Sequence, residues 1–381
     1  MELRHSRGRA PIITDPKKSA QVVGLRYVSN ETSGIRRVKS GKNFGYLNDT
    51  GKKVSDGETL GRIKSLAIPP AWIEVWICPH ENGHLQATGR DIKGRKQHRY
   101  HRRWREARDE TKFNRIMVFA KALPKIRQRV RKDLKLAGLS RPKVLATIVR
   151  LLELSLIRVG NEEYARNNNS FGLTTMRDKH VKVNGATVHF QFRGKSGKHH
   201  TIDVRNESLA KIVKRCQDLP GQELFQYLDE DGGRVDVKSE DVNEYLREVS
   251  GEDFTAKDFR TWAGTVLAAM ALQEFEKFQT QTQAKKNLVQ AIEAVAAKLG
   301  NTPAVCKKCY VHPAVFDAYL DGSTLQTIKQ RAEQQLKTSL TKLRPEEAAV
   351  LTLLQQRLAK EKEPLAKTLQ RSLATVRKKR S

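Results

Sequence analysis

The sequence predicts an α+β protein: a small N-terminal antiparallel β-sheet domain, then a larger, mainly α-helical domain containing a small β-hairpin sheet. Three observations carry this prediction. Short apolar runs between Gly24 and Ala87 are bounded by Gly, Asn, Asp and Pro turns. From Arg105 the apolar spacing becomes helical. Val188, Phe190 and Phe192 then alternate with His189, Gln191 and Arg193 before a Gly-rich turn.

A length of 381 residues suits two domains with appendages. The expected division is a flexible basic arm over 1–20, a β-rich domain over 21–107, a helical domain over 108–322 and a basic helical extension over 323–381. Lys and Arg number 72 against 42 Asp and Glu, for a net charge of +30. Such a field attracts a polyanion, so nucleic acid is the first partner class to consider, although a ribosomal or membrane-surface protein can be equally basic. Four cysteines, Cys78, Cys216, Cys306 and Cys309, are too few and scattered for a disulfide framework. No run of about 18 apolar residues suggests a membrane span, and the N-terminus lacks a signal-peptide core. The expectation is a cytoplasmic protein.

In the first domain, Leu25–Val28, Phe44–Leu47 and Trp72–Cys78 read as strands, with a short helix over Thr59–Leu66. The stretch from Leu85 to Trp104 interleaves cations with Gln97, Tyr100 and Trp104. That mix suits contacts to phosphates and base edges better than a merely solvated charge run. Helical spacing then covers Phe113, Ile116, Met117 and Ala120, and again Pro124 to Leu136. Pro142 opens a longer helix with an apolar stripe from Val144 to Ser155, which places Arg158 near its end. An arginine there also suits the helix dipole.

Gly194–Lys198 forms a turn between Phe192 and a returning strand at Thr201–Val204, with Lys195 at the tip. Tyr227–Gly233 clusters carboxylates, but its paired glycines favour a turn over a metal site. Thr255 and Asp258 have the spacing of a helix capping box, with Phe259, Trp262, Ala263, Val266, Leu267 and Met270 as the buried face. Arg260 then sits near the positive end of that helix, where a cation is unfavourable unless an anion is bound. A helix ends at Gly300, and Thr302-Pro303 starts another that closes at Tyr310. The lone Cys306-x-x-Cys309 pair lacks the partners of a zinc site and reads as helix packing. Beyond Leu320 the chain looks accessory, with a helix through Val350, Leu351, Leu354 and Leu358, another from Pro364, and cations at Arg377–Arg380.

Arg158, Lys195, the start Lys257-Asp258-Phe259-Arg260, Asn301 and Tyr310 resemble, in order and surroundings, the type IB DNA topoisomerases of the small poxvirus-like and bacterial kind. The resemblance runs from about Gly24 to about Leu320. It rests on Ile157–Tyr164, Phe171–Met176, Phe192–Lys195, Lys257–Thr261, Leu299–Pro303 and Gly94–Gln97 together. It implies a β-rich clamp domain and a catalytic domain of the tyrosine recombinase and topoisomerase IB type, closing as a monomer around double-stranded DNA. It also implies Tyr310 as nucleophile, Arg158, Arg260 and Asn301 as clamps on phosphate oxygens, and Lys195 as the acid for the leaving oxygen. Arg95, Lys96, Gln97, His98, Tyr100, Tyr164 and Lys257 become DNA contacts. Neither ATP nor metal nor another cofactor is expected, because a phosphotyrosine conserves the ester bond's energy.

Asn301 stands where poxvirus members have histidine, and an amide can donate a hydrogen bond without carrying a proton. Glu163 replaces their groove-reading lysine, so poxvirus sequence preference does not transfer; His98 also replaces an aromatic of the first domain's contact segment, although Gln97, Tyr100 and Tyr164 match. Two alternatives remain. A tyrosine recombinase usually has histidine where Lys257 stands, and a basic DNA-binding protein would do no chemistry.

Overall fold

Long cationic side chains hide part of the first domain's sheet from a hydrophobicity pattern. The computed structural model describes residues 16–41, 43–275, 278–322, 343–357 and 359. These group into two compact units, divided between Arg115 and Ile116. No helix among the described residues is long and apolar enough to cross a membrane.

The first unit begins with helix α1 (Pro16–Val22), part of a stretch read from sequence as a flexible arm. Ala20 is buried against Leu25 and Trp104, which orders it. An antiparallel sheet follows, in the order β2-β1-β3-β4-β5: β1 (Ile35–Ser40), β2 (Asn43–Leu47), β3 (Ile73–Ile77), β4 (Leu85–Arg90) and β5 (Lys96–Tyr100). Helix α2 (Gly57–Ser65) covers one face through Ile63, which packs on Ile35, Val75, Ile77 and Ala87. One expectation needs correction, and one strand was missed. Leu25–Val28 is no strand: Arg26 makes a single bridge to Gly83, and Leu25 is spent on the α1 contact. Strand β1, unnoticed in the sequence, carries Arg36, Arg37 and Lys39. Its Arg37 guanidinium lies 4.1 Å from the Phe44 ring centroid, and Nη1 donates to the Pro69 carbonyl at 3.1 Å. The aliphatic stem thus covers the sheet while the charge is satisfied by backbone.

Helix α3 (Arg102–Asp133) runs unbroken through Pro124, where two helices had been expected. The proline removes one backbone donor, but the buried Ile116, Phe119, Ala120, Leu123 and Ile126 carry one apolar face across it. In the second unit, helix α4 (Arg141–Ser155) lies at the centre, with ten of its residues buried. Around it stand α5 (Glu162–Asn168), the three-stranded sheet β6 (Val181–Asn184), β7 (Thr187–Arg193) and β8 (His199–Arg205), and α6 (Glu207–Gln217). The chain continues through hairpin β9 (Gln226–Leu228) and β10 (Arg234–Asp236), then α7 (Ser239–Ser250), α8 (Ala256–Glu274), α9 (Gln281–Leu299), α10 (Pro303–Tyr310) and α11 (Pro313–Leu320). The observed architecture is the predicted α+β arrangement: an antiparallel sheet first, then a helix-rich unit with a small sheet.

Helix α8 is buried on more than the one expected face: Arg260, Thr261 and Thr265 are inside, while Met270 is 40% exposed. Burial on several sides is what lets it hold a cation deep in the protein. The reading of everything past Leu320 as accessory also fails for 343–357. Leu343, Ala348, Val350, Leu351, Leu353 and Leu354 belong to the main core. The expected helix from Pro364 and the terminal cations lie outside the described residues.

Candidate active site

Four of the predicted residues come together at the junction of α4, α8, α9 and α10. Helix α4 ends with Leu156 in the left-handed region, φ 57°, a conformation that costs a non-glycine residue roughly 1–2 kcal/mol. That turn aims the Leu156 carbonyl at Arg260, whose Nη1 donates to it. Beyond it, the Arg158 carbonyl accepts from the Leu173 N–H at 2.9 Å and the Val159 carbonyl from the Thr174 N–H at 2.6 Å, which ties this stretch to the segment over 171–175. A Cβ on Gly172 would stand 2.6 Å from the Arg158 carbonyl oxygen, so glycine is needed for that close approach.

Arg260 is 4% exposed. Its Nη2 donates to the Leu299 carbonyl at 2.6 Å, its guanidinium carbon lies 5.2 Å from the Tyr310 ring centroid, and its Nε is buried without a partner. Burial, and then the charge of Arg158, push its pKa down to about 10, while the Tyr310 phenol acts the other way. The group is still a cation at neutral pH. Two guanidinium groups held this close are unfavourable alone and favourable around an anion.

Asn301 follows Gly300, which ends α9 at φ 60°. Its Oδ1 accepts a hydrogen bond from Arg158 Nη2, and its Nδ2 is buried without a partner. Tyr310 is the last residue of α10, half-buried, with its backbone against α8. A Cβ on Gly264 would meet the Tyr310 carbonyl oxygen at 2.6 Å, and Thr265 Oγ1 accepts from the His312 N–H at 3.1 Å just beyond. Lys307, which precedes Tyr310 on α10, has its ammonium 5.8 Å from the Phe316 ring centroid. Cys306 is buried and its thiol is pushed up to about 11, chiefly by burial; all four cysteines are free.

Lys195 is not among this group. It is exposed in the β7–β8 turn, with no hydrogen bond to any of the four among the described residues. Two residues of the same hairpin reach the site instead, and neither was singled out from sequence. Lys198 Nζ donates to the Asn301 carbonyl at 3.1 Å. His200 packs against Gly194 and Gly300. Alternation was a usable signal, since Ile202 and Val204 point inward and His200 shares their face.

Tyr164 is half exposed on α5, which Asn161 caps by accepting from the Tyr164 N–H at 3.0 Å. Lys257 is exposed in the first turn of α8. In the first unit, β5 is an edge strand with Lys96, His98 and Tyr100 on its open face and Gln97 on the other. The His98 and Tyr100 rings stack at 5.7 Å. Gln97 Nε2 donates to Asp91 Oδ2 at 2.9 Å, and Arg95 pairs with the same carboxylate at 2.6 Å. The hydrogen bonds from Arg95 hold the Asp91 carboxyl at about 2.

Fold and site together place two guanidinium groups and an amide beside a phenol on an α+β scaffold. Residues 101–354 match the family described as eukaryotic DNA topoisomerase I, catalytic core. Residues 43–91 match the family described as bacterial DNA topoisomerase IB, N-terminal domain. The DNA topoisomerase 1B of Acanthamoeba polyphaga mimivirus is 35% identical over 293 residues, covering 75% of this chain and 87% of its own. The DNA topoisomerase 1B of Vaccinia virus (strain Copenhagen) is 24% identical over 250 residues, 64% of this chain and 75% of its own. The DNA topoisomerase 1 of Mycosarcoma maydis is 23% identical over 188 residues, 45% of this chain and 18% of its own. The chain belongs to the type IB DNA topoisomerase family, isomerases that bind and act on DNA.

Proposed function

We propose that the chain relaxes supercoiled duplex DNA by cutting one strand, letting it rotate, and resealing it. The Tyr310 oxygen attacks a backbone phosphorus and its phenolic proton passes to water. The bond from phosphorus to the 5′ oxygen breaks, its electron pair stays on that oxygen, and Lys195 supplies the proton that makes it a hydroxyl. The resulting 3′-phosphotyrosine keeps the energy of the ester, so the 5′ hydroxyl can attack back and expel Tyr310 without ATP or metal. Arg158, Arg260 and Asn301 hold the nonbridging oxygens, where preorganised donors are worth about 10²–10³ in rate each. Lys195, exposed on its turn, extends its side chain to the leaving oxygen once DNA is bound.

In this reading the β-rich domain and the helical domain close as a monomeric clamp around DNA in the cytoplasm. Arg95, Lys96, Gln97, His98 and Tyr100 contact the duplex from the first domain, with Tyr164 and Lys257 from the second. The observation that carries the proposal is the pair of buried, partnerless N–H donors, Arg260 Nε and Asn301 Nδ2, linked through Arg158 beside the Tyr310 ring. Buried donors without acceptors are costly unless a ligand supplies them. The test is relaxation of an arbitrary supercoiled plasmid in chelator without ATP. Tyr310→Phe is expected to bind DNA while losing all relaxation and all denaturant-trapped adduct. Relaxation by that variant would remove Tyr310 as nucleophile, and relaxation confined to one particular sequence would favour a recombinase.

A further inference from the structure

His200 occupies the space that side chains on two glycines would need. A Cβ built on Gly194 would stand 2.7 Å from His200 Cδ2, and one on Gly300 would stand 2.4 Å from Cε1. Gly194 immediately precedes Lys195, and Gly300 immediately precedes Asn301. The ring is therefore wedged between the two backbone segments that carry these side chains. Its other surface stacks on Phe192 at 5.2 Å and 20°, and the β7–β8 register pairs the same two residues.

The two glycines differ in kind. Gly300 has φ 60°, which favours glycine on conformational grounds alone. Gly194 has φ −99°, open to any residue, so its missing side chain is explained by the imidazole and not by the backbone. Lys198 adds a second tie, donating from Nζ to the Asn301 carbonyl at 3.1 Å. We propose that His200 is a positioning residue that fixes the Lys195 turn against the Gly300–Asn301 turn, setting the proton donor at a constant distance from the bound phosphate.

The inference rests on the reading of Lys195 as the acid. The role is one of shape and not of charge. Burial, then Arg158, Arg260, Lys198 and His199 in turn, lower the His200 pKa from its usual value. The ring is therefore neutral at pH 7 and adds no cation to the pocket. Among the described residues it shares no hydrogen bond with Tyr310, Arg158, Arg260 or Asn301, so its loss should fall mainly on the step Lys195 serves.

Single-turnover cleavage would be measured on two duplexes, one with the ordinary 5′ oxygen at the scissile bond and one with sulfur there, a leaving group that needs no acid. Their rate ratio is independent of how much enzyme is folded. His200→Ala is expected to cut the oxygen duplex at least tenfold more slowly and the sulfur duplex near the native rate. Gly194→Ala, whose new Cβ displaces the ring, is expected to behave alike, and the double variant to be no worse than His200→Ala. Equal losses on both duplexes for His200→Ala and Gly194→Ala, with Lys195→Ala rescued by sulfur, would overturn the positioning role alone. Failure of sulfur to rescue Lys195→Ala would remove the acid reading and this inference with it.

Discussion

Asn301 receives its hydrogen bond from the Arg158 guanidinium, which has donors only, so the atom facing Arg158 must be the amide oxygen. The amide nitrogen is then turned the other way, buried and free to donate. This orientation suits Asn301 to the purely electrostatic task at the phosphate proposed for it, in contrast to the proton transfer proposed for Lys195. Asn301→Asp keeps an acceptor for Arg158, removes the donor and adds a negative charge. Single-turnover cleavage by that variant should fall by more than about 10²-fold, whereas Asn301→His, which retains a donor, should keep most of the rate. An aspartate variant that cleaves normally would show that the amide hydrogens do not hold the phosphate.

The helix over 345–357 is fastened to the core by charge as well as by apolar packing. Arg127 on α3 donates to both Glu347 oxygens, at 2.8 and 2.7 Å, and also pairs with Glu153 on α4. Trp262 Nε1 on α8 reaches Glu347 at 3.4 Å, two residues from Arg260. Burial alone would raise the Glu347 carboxyl, but Arg127 and the Arg344 N–H outweigh it and hold the group below its usual 4.5. A carboxyl lowered in the folded state stabilises fully above its unfolded pKa, and that contribution is lost as pH falls through the folded value. Glu347→Ala leaves Arg127 buried with a poorer partner set and should cost about 3–5 kcal/mol in urea denaturation at neutral pH, with a smaller loss in acid. An unchanged midpoint would mean the helix is held by its apolar face alone. This clamp also marks where sequence reading stopped. Periodicity, caps and turns sufficed for α4, α8 and the Gly300 stop, because each depends on neighbours within a few residues. The Arg127–Glu347 pair, separated by 220 positions, leaves no local trace, so the helix looked accessory. The same holds for His200, whose partners Gly194 and Gly300 meet only in the folded chain. Arg158, Lys195 and Tyr310 were assigned through resemblance, since locally each has an ordinary reading as a dipole, turn or helix-end residue.

At the scale of the whole molecule, a net charge of +30 exceeds anything the pocket requires. In the proposed mechanism one phosphate takes two guanidinium groups and an amide, which leaves most of the excess to act on the rest of the DNA or on solvent. Exposed Lys96 and Lys257 lie one in each unit, as a protein gripping the backbone from both units would require. Each phosphate neutralised releases condensed counterions, and six to ten such contacts would lose about 10³–10⁵ in affinity between roughly 50 and 200 mM salt. In the proposed mechanism the chemical step has no such dependence, because the scissile phosphate would sit among buried groups that salt screens weakly. Raising salt should therefore convert plasmid relaxation from processive to distributive. Single molecules fully relaxed beside untouched ones should give way to a population that relaxes together, while single-turnover cleavage at saturating enzyme stays nearly constant. Lys96→Ala and Lys257→Ala should each flatten the salt dependence by about one contact, with a slope change near 0.9. Relaxation indifferent to salt would contradict a charge-driven grip, and cleavage at saturation that fell in parallel would place the salt-sensitive groups in the pocket itself.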